Sequence, residues 1–319
     1  NVEADVLAGP LLAQQAKDAG VVYSLAWGDQ PALICEHVDW ARSCGFEVTA
    51  VGKGTRYLPE YHSLTPDTVW NVLREYLDIE DPSSINLQMF NSFLDGSKSA
   101  IEMTAVCNAT GLVPQASGLT FPPSSRFSLA DVCKPQQEGG ALTRSGTTEV
   151  VSSLKRSGEP IDHHLAMGTF VIVKPGTDYA RQCFREYHML PDESGLYGAL
   201  YRPTHMIGLE LGLSVASVAL RGEPTGEPYC FSSDVVAVAK RDLRAGERLD
   251  GEGGHCVYGQ QMPASLSIAK DALPLGLSGG VTLLRDVSAG QVLCEADTAL
   301  DNSDDAVKAR QMMISGFAS

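Results

Sequence analysis

No stretch of this chain approaches the roughly 20 consecutive apolar residues that a membrane-crossing helix needs. The best run, IGLELGLSVASVAL at residues 207–220, carries Glu210 inside it. No membrane partner is therefore expected, and the chain reads as soluble. Basic charge is also scarce: 24 Lys and Arg stand against 39 Asp and Glu, a net charge of −15. A sequence-independent grip on nucleic acid, which needs basic surface to neutralise phosphates, is not expected. The eight cysteines are scattered, with no C-x-x-C pair and no Cys/His spacing of the zinc type. That usage fits reduced thiols in a cytoplasmic protein. Two phosphate-binding signatures are missing as well, the G-x-G-x-x-G dinucleotide loop and the Walker A loop. The chain opens on Asn1 instead of methionine, and its first residues read as the interior of a domain, so an upstream segment is expected.

What is present describes an ordinary globular composition, 44% hydrophobic and 20% charged, long enough at 319 residues for two domains. A helix is expected from about Gly9 to Ala19. The apolar run VVYSLAW (21–27) has strand character. PALICEHVDWARSCG (31–45) has helical spacing, with Pro31 suited to the first turn and Gly45 to the C-cap. FEVTAVGKGT (46–55) returns as a strand. Together they predict a β–α–β unit with parallel strands. Ligands in such sheets gather at the carboxyl ends of strands. The loop GKGTRY (52–57), with Lys53 and Thr55 between flexible glycines, is thus a candidate phosphate cradle.

Residues 67–79 predict an amphipathic helix capped by Thr65 or Asp67, and 168–174 predict a strand. His163 and His164, just before that strand, are expected to be structural. Residues 113–140 read as irregular connection, and the segment after Arg202 as a loop leading into a long buried helix. Beyond Gly222 the texture changes to short strands and glycines. KRDLRAGERL (240–249) and LRDVSAGQVL (284–293) share R-D-[LV]-x-A-G-x-x-L, which predicts one tight turn at Ala-Gly used twice.

Asp95, Lys98 and Glu102 stand three and four residues apart where a helix begins, so all three can project toward one point. Asp95 or Ser97 would cap that helix. A lysine in a first turn faces the positive end of the helix dipole, the wrong sign for stability. Two readings follow, a capped helix with a solvated surface pair or an acid–base cluster.

The residues 232–300 resemble a SAF domain, the small β-rich module also met in antifreeze proteins, sialic acid synthases and altronate-type dehydratases. The preceding 230 residues are similar to homoserine dehydrogenase-like oxidoreductases that carry a C-terminal SAF domain. The stretches behind this are NVEADV, GKGTRYLPEYH, FLDGSKSAIEMTAVCNATGL and LYRPTHMIGLELGLS. Homoserine dehydrogenases have Asn-Lys where this chain has Asn1-Val2, which removes a catalytic lysine and argues against homoserine as substrate.

The resemblance implies an α/β catalytic region over 1–230 with β–α–β units, then a small mainly-β SAF module with a C-terminal tail over 231–319. It implies an NAD(P)H-dependent oxidoreductase acting on a phosphorylated sugar or polyol, and more narrowly a 1-deoxyxylulose 5-phosphate reductoisomerase-like activity in isoprenoid biosynthesis. The acid–base cluster Asp95, Lys98 and Glu102 becomes the expected catalytic set. Lys53, Thr55, Asn91, Arg144, Arg202 and His205 are the expected substrate ligands. Asn1 is the expected cofactor contact, with NADP or NAD held mainly by an upstream domain. Mg²⁺ or Mn²⁺ could join through Asp95, Glu102 or Glu3, oxygen ligands of the kind hard cations take. A homodimer through the sheet is a further expectation. The competing reading is a carbohydrate-binding or assembly module built on the SAF domain, without redox activity.

Overall fold

The computed structural model describes residues 2–78 and 81–317. The chain opens with helix α1 (Val2–Asp18), kinked at Ala8 two residues before Pro10. Helix α2 (Gln30–Ser43) follows, with Asp29 accepting from the Gln30 N–H at its start and Gly45 in the left-handed region beyond its end. Strand β1 (Glu47–Thr55) comes next, then the short helices α3 (Trp70–Leu73) and α4 (Leu87–Leu94) and the longer α5 (Ser97–Thr110). After α6 (Leu129–Val132) come β2 (Thr147–Ser152), β3 (Thr169–Lys174), α7 (Asp178–Glu186), β4 (Leu190–Pro191), β5 (Gly198–Arg202) and α8 (Gly212–Arg221). The remainder holds β6 (Ser233–Ala239), β7 (Val257–Pro263), α9 (Ala264–Ala269) and α10 (Asp305–Phe317).

The fold is α/β with a small β-rich region after it, as expected. The main sheet runs β2-β1-β3-β5-β4, with only β1 and β2 parallel. The expected β–α–β unit at residues 21–55 is not formed, because 21–26 is irregular chain. Leu25 is held there by one backbone bond to Gly226, while Val21 stands exposed. The parallel pair instead joins β1 to β2 across the long connection that contains α5.

The two glycines flanking Lys53 serve close packing. A Cβ on Gly52 would lie 1.7 Å from the Glu149 carbonyl oxygen, and one on Gly54 would lie 1.9 Å from that of Leu165. The expected flexible cradle at 52–57 is therefore corrected: Lys53 sits inside a strand. The helix expected over 67–79 shortens to the four residues of α3, with turns around it; Ile79 lies outside the described residues.

Helix α8 is also corrected. Its buried residues are Ser214 and Ser217, whereas Leu213 and Leu220 are 54% and 83% exposed. The serine face wins because it is needed for hydrogen bonds: Ser214 Oγ accepts from the Trp27 N–H, and Ser217 donates to the Glu223 carbonyl.

Helix α5 is central. Its Met103, Val106 and Cys107 pack with Val51, Val150 and Val171 of the main sheet. Its Ala100, Ile101 and Ala105 pack with Val235, Ala237, Leu243 and Val257 of the C-terminal region. One helix thus belongs to both hydrophobic cores.

The repeated motif folds as expected, with Gly246 and Gly290 both in the left-handed region. The two copies pair with each other. Leu243 and Val287 exchange backbone hydrogen bonds. Asp242 accepts from the Ala289 N–H and Asp286 from the Ala245 N–H, so each copy caps the turn of the other. All eight cysteines are free thiols, and among the described residues no helix is long and apolar enough to cross a membrane.

Candidate active site

The sheet register places three polar residues side by side at one end. Lys53 on β1 lies opposite Thr169 on β3, and Thr169 lies opposite Arg202 on β5. All three share the face covered by α2 and α5. Lys53 and Glu102 form a buried ion pair there. Thr169 bonds His37 of α2, Oγ1 to Nε2 at 3.0 Å. Burial, and then the charge of Arg202, push the His37 pKa down to about 4, so this imidazole is neutral at physiological pH. Arg202 is ion-paired with Glu210 and donates to the Thr204 carbonyl.

Asp95, Lys98 and Glu102 do not converge. Each takes a different partner: Asp95 with Lys240 at 2.7 Å, Lys98 with Glu3 at 2.6 Å, and Glu102 with Lys53. The helix begins earlier than the apolar spacing implied. Gly96 occupies the cap position, and Asp95 accepts from the Ser97 N–H. The side chains leave α5 in three directions because α1, β1 and the C-terminal region each present an opposite charge to it. The three carboxylates proposed as hard-cation ligands are thereby divided among three lysines. Among the described residues no group of three or more His, Cys, Asp or Glu is arranged to hold a metal ion.

Lys98 remains within the electrostatic reach of Glu102. Burial alone would lower its pKa, but Glu102, Glu3 and Asp29 outweigh that and hold the ammonium above the usual lysine range. Lys98 is therefore a cationic hydrogen-bond donor at neutral pH and is not a base.

The other expected ligands are dispersed. Thr55 ends β1 on the same side as Lys53. Asn91 is buried and donates to the Leu64 and Gly253 carbonyls, which is a structural tie. Arg144 is exposed, just before β2, and donates to the Ser145 carbonyl. Since β2 runs parallel to β1 with Thr147 opposite Ala50, Arg144 sits at the far end of the sheet from Thr55. His205 is a surface residue bonded to the Met167 carbonyl. Asn1 lies outside the described residues.

Two residues absent from these expectations line a cavity of about 250 Å³ between α1, residues 23–26 and the first turn of α2. Asp5 is 1% exposed and accepts from the Tyr23 hydroxyl at 2.8 Å, and its second oxygen has no hydrogen-bond partner among the described residues. Asp29 stands on the same wall, within electrostatic reach of Glu102, Lys98 and Lys53. Burial raises its pKa first and Glu102 adds to that. The cavity therefore adjoins the lysine–carboxylate cluster. Asp5 belongs to the quoted stretch NVEADV. Its signal was a second acid, after Glu3, in an otherwise apolar helical turn, legible only once the helix start is placed before Gly9.

Burial pushes the Asp5 pKa up to about 6, partly offset by the Tyr23 bond. A carboxyl whose pKa rises on folding binds more protons folded than unfolded. Its unfavourable contribution to stability therefore grows between about pH 4 and 6 and persists above that. Asp5→Asn is expected to raise the midpoint of thermal unfolding at pH 7.5 and to change little at pH 4. Matched melts at the two pH values check this, and an equal shift at both would refute it.

Two comparisons bear on this geometry. The family model described as oxidoreductase DRL, catalytic domain, matches residues 28–211. A SAF domain model matches residues 234–299. No curated protein matches the chain.

Proposed function

From a chain that belongs to the oxidoreductase DRL family, we propose a reductase of phosphorylated sugars or polyols, with 1-deoxyxylulose 5-phosphate as the substrate to test first. The observation that carries this reading is the polar cavity of Asp5, Tyr23 and Asp29 set against the charged cluster of Lys98, Glu102 and Lys53. The cavity offers a protonatable carboxyl and a phenol, with an ammonium in electrostatic reach of its wall, and a hydroxy-ketone has oxygens for such groups.

Reduction of a carbonyl leaves a growing negative charge on oxygen that must be stabilised and then protonated. Lys98, held charged by Glu3 and Glu102, supplies the positive field. Asp5, with a pKa near 6, is poised to give or take a proton near neutrality, and Tyr23 orients it. Arg202 is the cation proposed for the phosphate. It is partly exposed, and its planar fork could exchange Glu210 for a phosphate with bidentate geometry.

A nicotinamide nucleotide, NADP or NAD, is the proposed hydride donor. The helix start beside the cavity is capped by Asp29, an anion, and no glycine-rich loop precedes it. The part proposed here for the described residues is the substrate side.

The test is NADPH oxidation by the full-length gene product with 1-deoxyxylulose 5-phosphate, comparing wild type with Lys98→Ala. Turnover reduced by about 10²–10⁴-fold in the variant is expected for a residue that stabilises the reacting oxygen. Wild-type turnover in the variant would return Lys98 to a structural ion pair. No oxidation by the wild type, with other sugar phosphates equally inert, would overturn the substrate class.

A further inference from the structure

The loop between the first copy of the SAF repeat and β7 reaches across to the family domain. Three side chains fix it there, two from α4 and one from the SAF region itself. Gln88 of α4 donates to the Asp250 and Glu252 carbonyls at 3.1 and 2.9 Å. Asn91 donates to the Gly253 carbonyl at 2.8 Å, and Lys240 to the Gly254 carbonyl at 2.7 Å. Every one of these bonds is made to the loop's backbone, and the His255 side chain adds a contact with Asp67, Nε2 to Oδ2 at 3.1 Å. Asp250 in turn accepts from the His255 and Cys256 N–H groups and closes the loop on itself.

The side chain left over is that of Glu252. It lines a narrow crevice together with Glu3, Val6, Ile101 and Leu275, where α1, α5 and the SAF region meet. Glu3, Lys98 and Asp95 all act on its charge. Glu3 is the ion-pair partner of Lys98. A carboxyl from the SAF module therefore shares a crevice with Glu3, the ion-pair partner of the lysine on which the proposed reduction depends.

We propose that Glu252 is a positioning residue of the active site, through which the SAF module bears on the Glu3–Lys98 ion pair and so on the charge of Lys98. This rests on the reading of Lys98 given above and extends it to a second part of the chain. It gives the SAF region a task in the chemistry, beyond covering one face of α5.

The charged groups around Glu252 come from every element packed on it. Glu3 belongs to α1, Lys98 to α5, and Asp95 to the turn before α5. Asp234 of β6 lines the same crevice and is neutralised by Arg310. Glu102 and Asp29 act on Lys98 from its other side. Burial, and then repulsion from Glu3, raise the Glu252 pKa to about 7. Its charge near Lys98 thus changes within the physiological range.

The experiment uses acetic anhydride as a probe of the Lys98 amine on the full-length protein, read by peptide mass spectrometry across pH 7–11. Glu252→Gln keeps the shape and removes the charge. With one carboxylate fewer acting on it, the ammonium is less favoured, so acetylation of Lys98 at pH 9 is expected to rise about 3–10-fold, up to one unit of pKa. Glu252→Asp is expected to keep wild-type reactivity. Unchanged reactivity in Glu252→Gln, with wild-type melting, would overturn the proposal. So would an equal rise in Glu252→Gln and Glu252→Asp, which would mark a displaced loop. The labelling needs no substrate, so it stands apart from whether 1-deoxyxylulose 5-phosphate is reduced.

Discussion

Lys53→Met is expected to destabilise the protein by about 3–5 kcal/mol, because it leaves the Glu102 carboxylate buried with no counter-charge. Both side chains of this pair are nearly inaccessible, 8% and 5% exposed, so water cannot replace the lost partner. A loss of that size is a large part of the 5–15 kcal/mol typical of whole domains. The double variant Lys53→Met/Glu102→Leu is expected to regain most of it, since apolar groups of similar volume replace buried ion pairs at little cost. Activity should not return with stability, because Glu102 is also the largest charge holding the Lys98 ammonium up. Urea melts of the wild type, the two single variants and the double variant measure the coupling directly. A Lys53→Met protein within 1 kcal/mol of wild type would mean the end of β1 is open to solvent, against the burial described above.

The same pair shows what could and could not be read from the sequence. Helix α2 was legible because its signals are local: Pro31 in the first turn, Gly45 after the last, and apolar residues at helical spacing between them. The turns at Gly246 and Gly290 were legible for the same reason, and doubly so because the motif repeats. Lys53 was misplaced because G-K-G reads locally as a flexible loop. The glycines are there to let the Glu149 and Leu165 backbones approach, a contact with residues far along the chain. The apolar run at 21–27 looked like a strand, but no neighbouring strand is available to pair with it.

The cluster at residues 95–102 failed and succeeded in the same way. Spacing on a helix says which side chains can meet, and it says nothing of competing partners brought in by the fold. Lys98 and Glu102 do stay close enough to feel each other. Asp95 is drawn off by Lys240, from a region whose own sequence gave no hint of that charge pairing. The exposed apolar face of α8 is the opposite failure. Its periodicity marks leucine and valine positions as core, whereas the hydrogen-bonding demands of Trp27 and Glu223 turn its serines inward.

Lys240→Met carries the second large expected effect, and it falls on the joint between the two family regions. Asp95 and Lys240 are 0% and 2% exposed at the side chain, and the ammonium also serves the Leu64 and Gly254 carbonyls. Removing it strands a buried carboxylate, at about 3–5 kcal/mol. It also leaves the Gly254 carbonyl without its donor, at about 1–3 kcal/mol where water cannot reach it, while the Leu64 carbonyl keeps the Asn91 amide. The damage should not be spread evenly. Gly254 belongs to the loop that presents Glu252, and Leu64 precedes α3, so amides in 250–256 and 64–69 should lose hydrogen-exchange protection before the main sheet does. The repeat-paired turns at Gly246 and Gly290 should keep theirs, because their bonds run between the two motif copies and do not involve Lys240. Uniform loss of protection across the chain would show instead that Asp95 and Lys240 support the whole fold, with α5, common to both cores, transmitting the break to each.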